Sequence, residues 1–354
     1  MSVVIDETRV EAFVERIVDE IGAAVNVPLA VIGARLGLYA AMADGEPVGP
    51  ADLAARTGTH ERYVREWLAA QAAGGYVTYD PETQAYALPV EHAAVLADES
   101  SPVYQGGLFQ TASAVIHAQD HVAERFSSGD GLGWHEHHDD LFHGTDAVFG
   151  LAYRTYLLQE WIPALDGVEA KLRAGARVAD VGCGYGTATI LLAEAFPTST
   201  FVGFDYHVES IERARANAAA AGVSDRVRFE MASATGFPGA GYDLIACFDA
   251  LHDLGDPAAA ASHVRSALAP DGVWMIVEPQ AGDRVEENLH PLGRIRYSIS
   301  TLVCTPGSLS QPGRAALGTL AGEARLAAAI RAGGFAQVRR AADTPLNMVL
   351  EARP

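Results

Sequence analysis

The run VADVGCGYGTATILLAEAF, residues 178–196, constrains the fold more than any other stretch of the chain. A short apolar strand leads into Gly182, Gly184 and Gly186, and these lead into an apolar helical pattern. Glycines there let a ligand approach the backbone closely, with helix N-terminal N–H groups facing it. The alternation alone is weak evidence, because dinucleotide-binding turns are spaced similarly. A second apolar strand then ends in Asp205, twenty-three residues after Gly182, an acid placed to accept hydrogen bonds from ribose hydroxyls. The loop lies midway along the chain, and no second catalytic domain for hydride transfer is read after it.

The texture around the loop is α/β. Seven strands are expected: ARVADVG, STFVGFDY, VRFEMAS, YDLIACFD, GVWMIVEP, AQVRRAA and LNMVLEA. The first five are short apolar runs of the kind buried on both faces, which predicts a parallel doubly wound sheet. Only DTP separates the last two, so they should form an antiparallel pair at the sheet edge.

The N-terminal part is different. Helices are expected over about residues 7–22 and 27–43, the first with Val10, Phe13, Val14, Ile17, Val18 and Ile21 at helical spacing. VGPADLAARTGTHERYVREWLAAQAAGGYV then reads as helix, glycine turn, helix, and VTYDPETQAYAL as a hairpin. That order is a winged helix-turn-helix. Three parts are therefore expected: a winged-helix and dimerisation domain over 1–100, a helical connector and substrate cap over 101–165, and a Rossmann-like sheet domain over 166–354.

Charge narrows the partners. The net charge is −20, and residues 1–100 hold six arginines against sixteen acids. Nucleic acid is bound mainly through positive side chains, so it is an unfavoured partner. No window holds 18 uninterrupted apolar residues, and the acidic N-terminus lacks the basic start of a signal peptide. With three separated cysteines (Cys183, Cys247, Cys304), a reduced cytoplasmic protein with no membrane partner is expected.

These motifs carry a resemblance. Residues from about 166 to 354 resemble a class I S-adenosylmethionine-dependent methyltransferase, with VADVGCGYG as first motif and Asp205 as ribose acid. The whole chain is similar to an actinobacterial family with an N-terminal winged helix, some of whose members are labelled transcriptional regulators. WHEH, FVGFDYH, LHDLGDP, VEPQAGDRVEENLHPLGR and STLVCTPGSLSQ carry that likeness. The resemblance implies that Asp180, Gly182, Cys183 and Gly184 surround the methionine part of S-adenosyl-L-methionine, and that Asp205 holds its ribose. It sets Tyr206 against the adenine and Phe248 near the cofactor. Where such families often carry an adenine-pairing acid this chain has MASA, so Ser233 or a backbone group substitutes.

The likeness also implies a base. In winged-helix small-molecule O-methyltransferases a His-Asp after the fourth strand takes the acceptor's proton, which here gives His252 and Asp253, with Glu278 orienting the histidine. A phenol and a histidine differ by about 3.5 pKa units, so prior proton transfer costs about 4.8 kcal/mol. Concerted removal avoids most of that. The alternative role for His252 is packing against the cofactor loop. Residues 281–322, with Asn288, Arg294, Arg296, Tyr297, Thr301 and Cys304, read as a substrate wall or a helical insertion aiding dimerisation.

GWHEHHDDLFH, residues 133–143, remains. His135, Asp139 and His143 would share a helical face, a plausible metal arrangement, whereas His135, His137 and Asp139 would share a face of an extended chain. A pocket lining of Trp134, His135 and His137, with Asn288 and Tyr297, is the preferred reading, with no metal. The function expected is a methyltransferase acting on a small molecule, most often at oxygen. The alternatives are an S-adenosylmethionine-sensing regulator and a metal enzyme using this histidine cluster.

Overall fold

The computed structural model describes residues 5–354. The chain forms two compact units: one of residues up to 113 together with 143–148, the other of residues 114–142 and 149–354.

In the first unit, α1 runs unbroken over Glu7–Arg35 with Pro28 inside it, where the sequence pattern predicts a break near residue 22. Proline removes only its own N–H bond, and α1 continues because its last turns are packed. Trp67 Nε1 donates to the Leu29 carbonyl, and Gln71 donates to Asn26 Oδ1 while accepting from the Tyr39 hydroxyl at 2.7 Å. Two helices, α2 (Pro50–Thr57) and α3 (Glu61–Ala73), and the hairpin of β1 (Thr78–Asp80) with β2 (Ala85–Ala87) complete the helix-turn-helix and wing that the sequence predicts. The core is Leu38, Tyr39, Met42, Leu53, Trp67, Leu68 and Leu88.

Among the described residues, nothing covers the apolar face of the first half of α1. Phe13 is 60% exposed, Val18 63% and Ile21 57%. The best 18-residue window of α1 has mean hydropathy 1.6 and is 22% buried, so by length and composition α1 could cross a membrane. A search for uninterrupted runs misses this because Asp19 and Glu20 interrupt the apolar residues.

The second unit is built on a seven-stranded sheet of order β5-β4-β3-β6-β7-β9-β8. Its parallel strands are β3 (Arg177–Val181), β4 (Thr200–Asp205), β5 (Val227–Met231), β6 (Tyr242–Phe248) and β7 (Leu268–Pro279). The last two, β8 (Gln337–Asp343) and β9 (Asn347–Arg353), are antiparallel, with β9 inserted between β7 and β8. Both faces are covered by helices, and two apolar layers result, one around Trp161, Leu192, Phe201 and Met275, the other around Phe204, Ile245, Trp274 and Leu350. This is the mostly parallel fold with an antiparallel C-terminal pair that the pattern predicts.

The strand order reverses between β3 and β6, and β3 ends in the glycine loop. Gly186 caps the helix Thr187–Ala195 at φ 80°, and a Cβ built there would lie 2.5 Å from the Phe229 ring. Glycine is required at that corner for both reasons. Gly186→Ala should therefore destabilise the chain by about 1–3 kcal/mol from the backbone alone, read as a lower urea midpoint with helix content otherwise retained.

Candidate active site

The C-terminal ends of β3, β4, β6 and β7 gather Asp180, Asp205, Asp249 and Glu278, and the turn after β6 adds His252 and Asp253. In open α/β sheets, ligands bind at such ends where the strand order reverses.

The glycine loop spends its N–H groups inside the protein. Gly182 and Cys183 donate to the Phe204 carbonyl at 2.8 and 3.0 Å, Gly184 to Asp205 Oδ2 at 2.9 Å, and Gly186 to the Cys183 carbonyl. A phosphate cradle needs several such donors free, so this loop is poorly equipped for a pyrophosphate. At Gly184, φ is 51° and a Cβ would meet nothing within 4 Å, which leaves the backbone open to a ligand. The Cys183 thiol packs toward the sheet beside Gly203, so only its backbone is available to the loop's open side.

Asp180 is buried. Its Oδ2 accepts from the Thr189 hydroxyl at 2.6 Å, and its Oδ1 has no hydrogen-bond partner. Burial, opposed by that hydroxyl and reinforced by Asp205, pushes the Asp180 carboxyl up to about 7. Asp205 is also raised by burial, against the backbone N–H groups of His207 and Gly184 that it accepts. Beside it, Tyr206 stays 44% exposed; burial and Asp205 raise its hydroxyl, against the nearby Trp134 backbone. Met231 pairs with Asp205 across the β4–β5 ladder and is exposed, an apolar flank that sequence reasoning missed. Ser233 is exposed nearby in sequence and pairs only with Thr235 Oγ1 at 3.3 Å.

Glu278 fixes the turn after β6. Its Oε1 accepts from the backbone N–H of Leu251 at 2.8 Å and of His252 at 3.3 Å, and its Oε2 lies 2.5 Å from His252 Nδ1. The other ring nitrogen, Nε2, lies 3.2 Å from Asp253 Oδ1. Burial pulls the imidazole down, but Asp253 and Glu278 together raise it well above its ordinary value. Cys304, one of the residues of the expected substrate wall, touches both His252 and Asp253 and shares a 2.9 Å contact with Thr319 Oγ1.

Asp249 is the strained corner. It holds φ 50° directly after Phe248, and its carboxyl is buried, with Oδ1 accepting from Asn347 on β9 and Oδ2 unpartnered. Burial and Glu278 raise it, against His252 and Arg296. Non-glycine residues in that conformation cluster at functional sites. Phe248 itself packs in the core, 5.2 Å from the Tyr153 ring.

The histidine-rich stretch divides. Residues 114–142 belong to the same compact unit as the sheet. Trp134 packs against the apolar cluster of Ala114, Val115, Leu141, Val303 and Cys304. His135 is exposed, and His138 caps the helix Asp139–Ala152 by accepting from the Asp140 N–H. His137 is buried with neither ring nitrogen partnered, and burial lowers it to about 4. Among the described residues, the grouping of three ligand atoms within 4.8 Å of one another falls at His252, Asp253 and Cys304, not in this stretch. Asn288 is set to brace a turn: its amide bonds the Gly282 N–H and the carbonyls of Gly282 and Arg284, so it has little left for a ligand. Tyr297 lies half-buried on the helix Pro291–Ile299.

Asp180 generates a prediction. Between about 4 and about 7 the folded chain holds a proton that the unfolded chain has lost, so stability falls as pH rises through that window and the penalty is complete above about 7. Asp180→Asn should raise the urea midpoint of the ligand-free chain at about pH 8 and leave it nearly unchanged near pH 4. An equal effect at both values would contradict the assignment.

Comparison with known proteins bears on this geometry. Residues 172–302 match the family described as a methyltransferase domain, and residues 23–98 match the Rv2258c-like winged HTH domain. A curated relative, 27-O-demethylrifamycin SV methyltransferase of Amycolatopsis mediterranei (strain S699), is 35% identical over 39% of this chain and 43% of its own. The chain spans about a quarter to a half of the length of the first curated relatives it matches, 24%, 43% and 52%. Among solved structures, a putative O-methyltransferase of Nostoc punctiforme PCC 73102 superposes with a TM-score of 0.74 at 17% identity, covering 96% of this chain and 98% of that one. An O-methyltransferase from neocarzinostatin biosynthesis, in complex with S-adenosyl-L-homocysteine and 1,4-dihydroxy-2-naphthoic acid, gives 0.64 at 18% identity, covering 93% and 96%. The chain thus matches a methyltransferase domain over residues 172–302, preceded by a match to a winged helix-turn-helix domain over residues 23–98.

Proposed function

We propose that the protein is an S-adenosylmethionine-dependent methyltransferase that methylates a hydroxyl of a small molecule. The observation that carries this is the buried acid group at the strand ends. Asp180, Asp205 and Asp249 are raised by burial, and Asp180 and Asp249 each keep an unpartnered oxygen. A cationic ligand relieves that arrangement, whereas an anionic pyrophosphate adds to it and finds few free N–H donors. The residues present therefore fit S-adenosylmethionine better than a dinucleotide. S-adenosylmethionine, when bound, supplies an activated methyl group on a positively charged sulfur. Asp180 and the Gly182–Gly184 backbone would hold its methionine part, Asp205 its ribose, and Tyr206 and Met231 would flank its adenine.

The proton is the remaining task. The proton-accepting unit is the pair: His252 Nε2, 3.2 Å from Asp253 Oδ1, takes the acceptor's proton as the methyl moves, and the neighbouring carboxylate stabilises the charge that results. Glu278 holds Nδ1 so that Nε2 stays directed at Asp253. Cys304 beside the pair belongs to an apolar cluster against which Trp134 and Leu302 pack, a setting suited to an aromatic alcohol such as the dihydroxynaphthoic acid that the neocarzinostatin enzyme binds. The regulator reading is less favoured. On α3, Arg62 pairs with Glu66 at 2.6 Å and Arg65 pairs with Glu61, so the helix offers no positive face to phosphate.

The first partner of the winged-helix unit is a second copy of the chain, joined through the uncovered apolar face of α1. Val18→Asp with Ile21→Asp should convert a dimer to monomers in analytical ultracentrifugation; a monomeric parent chain would sink the dimer reading.

The enzyme reading is tested with labelled S-adenosylmethionine and a panel of phenolic acceptors. Asp205→Ala should abolish saturable S-adenosylhomocysteine binding in calorimetry. His252→Ala should leave that affinity within about threefold and lower kcat by about 10²–10⁴-fold. A parent chain that binds no S-adenosylhomocysteine would refute the function.

A further inference from the structure

Asp253 Oδ1 is buried and lacks a hydrogen bond, although His252 Nε2 is only 3.2 Å away. The contact has the distance of a hydrogen bond without its geometry. An orphaned buried carboxylate oxygen calls for an explanation. The third member of the group, Cys304, is buried on the opposite side, at the end of a π-helical segment, Ser300–Cys304. Such segments widen a helix locally and recur at functional sites.

We propose that His252 Nε2, Asp253 Oδ1 and Cys304 Sγ form a three-ligand site for a thiophilic divalent cation of the zinc class. The three atoms lie within 4.8 Å of one another, and the 3.2 Å edge between Nε2 and Oδ1 is close to that of a tetrahedron with bonds of about 2.0–2.3 Å. One nitrogen, one carboxylate oxygen and one sulfur are ligands zinc accepts, and the sulfur disfavours magnesium and calcium. The surrounding shell is already in place. Glu278 Oε2 holds Nδ1 at 2.5 Å, the carboxylate–histidine arrangement that orients a metal-binding ring, and Thr319 Oγ1 contacts Sγ at 2.9 Å. When the cation enters, the protons on Sγ and Nε2 leave to solvent.

Occupancy would take Nε2 and Oδ1 away from the acceptor's proton, so the cation acts as an off-switch for methyl transfer; this consequence rests on the methyltransferase reading, while the site itself does not. His117, His121, His135 and His138 are exposed and could bind a cation adventitiously, but they offer no sulfur.

The test is a cobalt(II) titration of the full reduced chain, followed by absorption. One equivalent should bind with tetrahedral visible bands and a thiolate charge-transfer band in the near ultraviolet. Cys304→Ser should lose the charge-transfer band while keeping S-adenosylhomocysteine binding as the sign of a folded domain. Asp253→Asn should weaken cobalt binding by at least about tenfold. Binding without a charge-transfer band belongs to the surface histidines and overturns the proposal, as does a band that survives in Cys304→Ser. Should Cys304→Ser fail to fold, unchanged affinity in Asp253→Asn overturns it. Loss of S-adenosylhomocysteine binding in the parent chain would sink the methyltransferase reading and leave the cobalt result standing.

Discussion

The carboxylate of Glu278 is the contact on which the site depends. It lies 1% exposed at the end of β7 and collects three donors, two backbone N–H groups and one imidazole nitrogen, all from the turn that follows β6. A buried charge is tolerated only when paired and hydrogen-bonded, and Glu278 meets that condition through Leu251 and His252. The turn and the strand therefore fix each other: without the acid the two N–H groups lose their acceptor, and without the turn the acid is a buried charge alone. Parallel pairing of β6 with β7 places the two strand ends side by side, so the clamp follows from sheet topology.

The left-handed backbone at Asp249 extends the same logic toward the sheet's antiparallel end. Its N–H donates to the Val277 carbonyl at 2.7 Å, and its carboxyl reaches Asn347 at the start of β9. Because β9 runs antiparallel beside β7, its first residue, not its last, lies at the active end. A chain reversal at the sheet edge thus delivers a side chain to a site otherwise built by parallel strand ends. The cost is backbone strain of about 1–3 kcal/mol, carried where the ligand-facing turn begins.

Much of this was readable before any coordinates. Apolar-run patterns located all seven sheet strands, and the three-residue DTP link set the last pair antiparallel. Asp180, Asp205, His252, Asp253 and Glu278 were each marked by standing at a strand end, and the structure brings them to one end of the sheet. Other readings failed for identifiable reasons. A break was expected between residues 22 and 27, because local pattern carries no information about Trp67 and Gln71 packing on α1. Asn288 looked like a pocket residue, because a sequence does not show where an amide's hydrogen bonds are spent. The histidine run suggested one site, yet its members divide among solvent, a helix cap and a buried position.

The sequence by itself determined the strand positions, the glycine corner and the acids at the strand ends, because these follow from local steric needs and from the periodicity of burial. Only the tertiary structure decided that Cys304 meets His252, that Asn347 meets Asp249, and that Trp134 lies against Tyr206. Those pairs are separated by 52, 98 and 72 positions along the chain. No local rule links residues so far apart; the order in which strands join the sheet, and the direction in which each runs, sets which side chains converge.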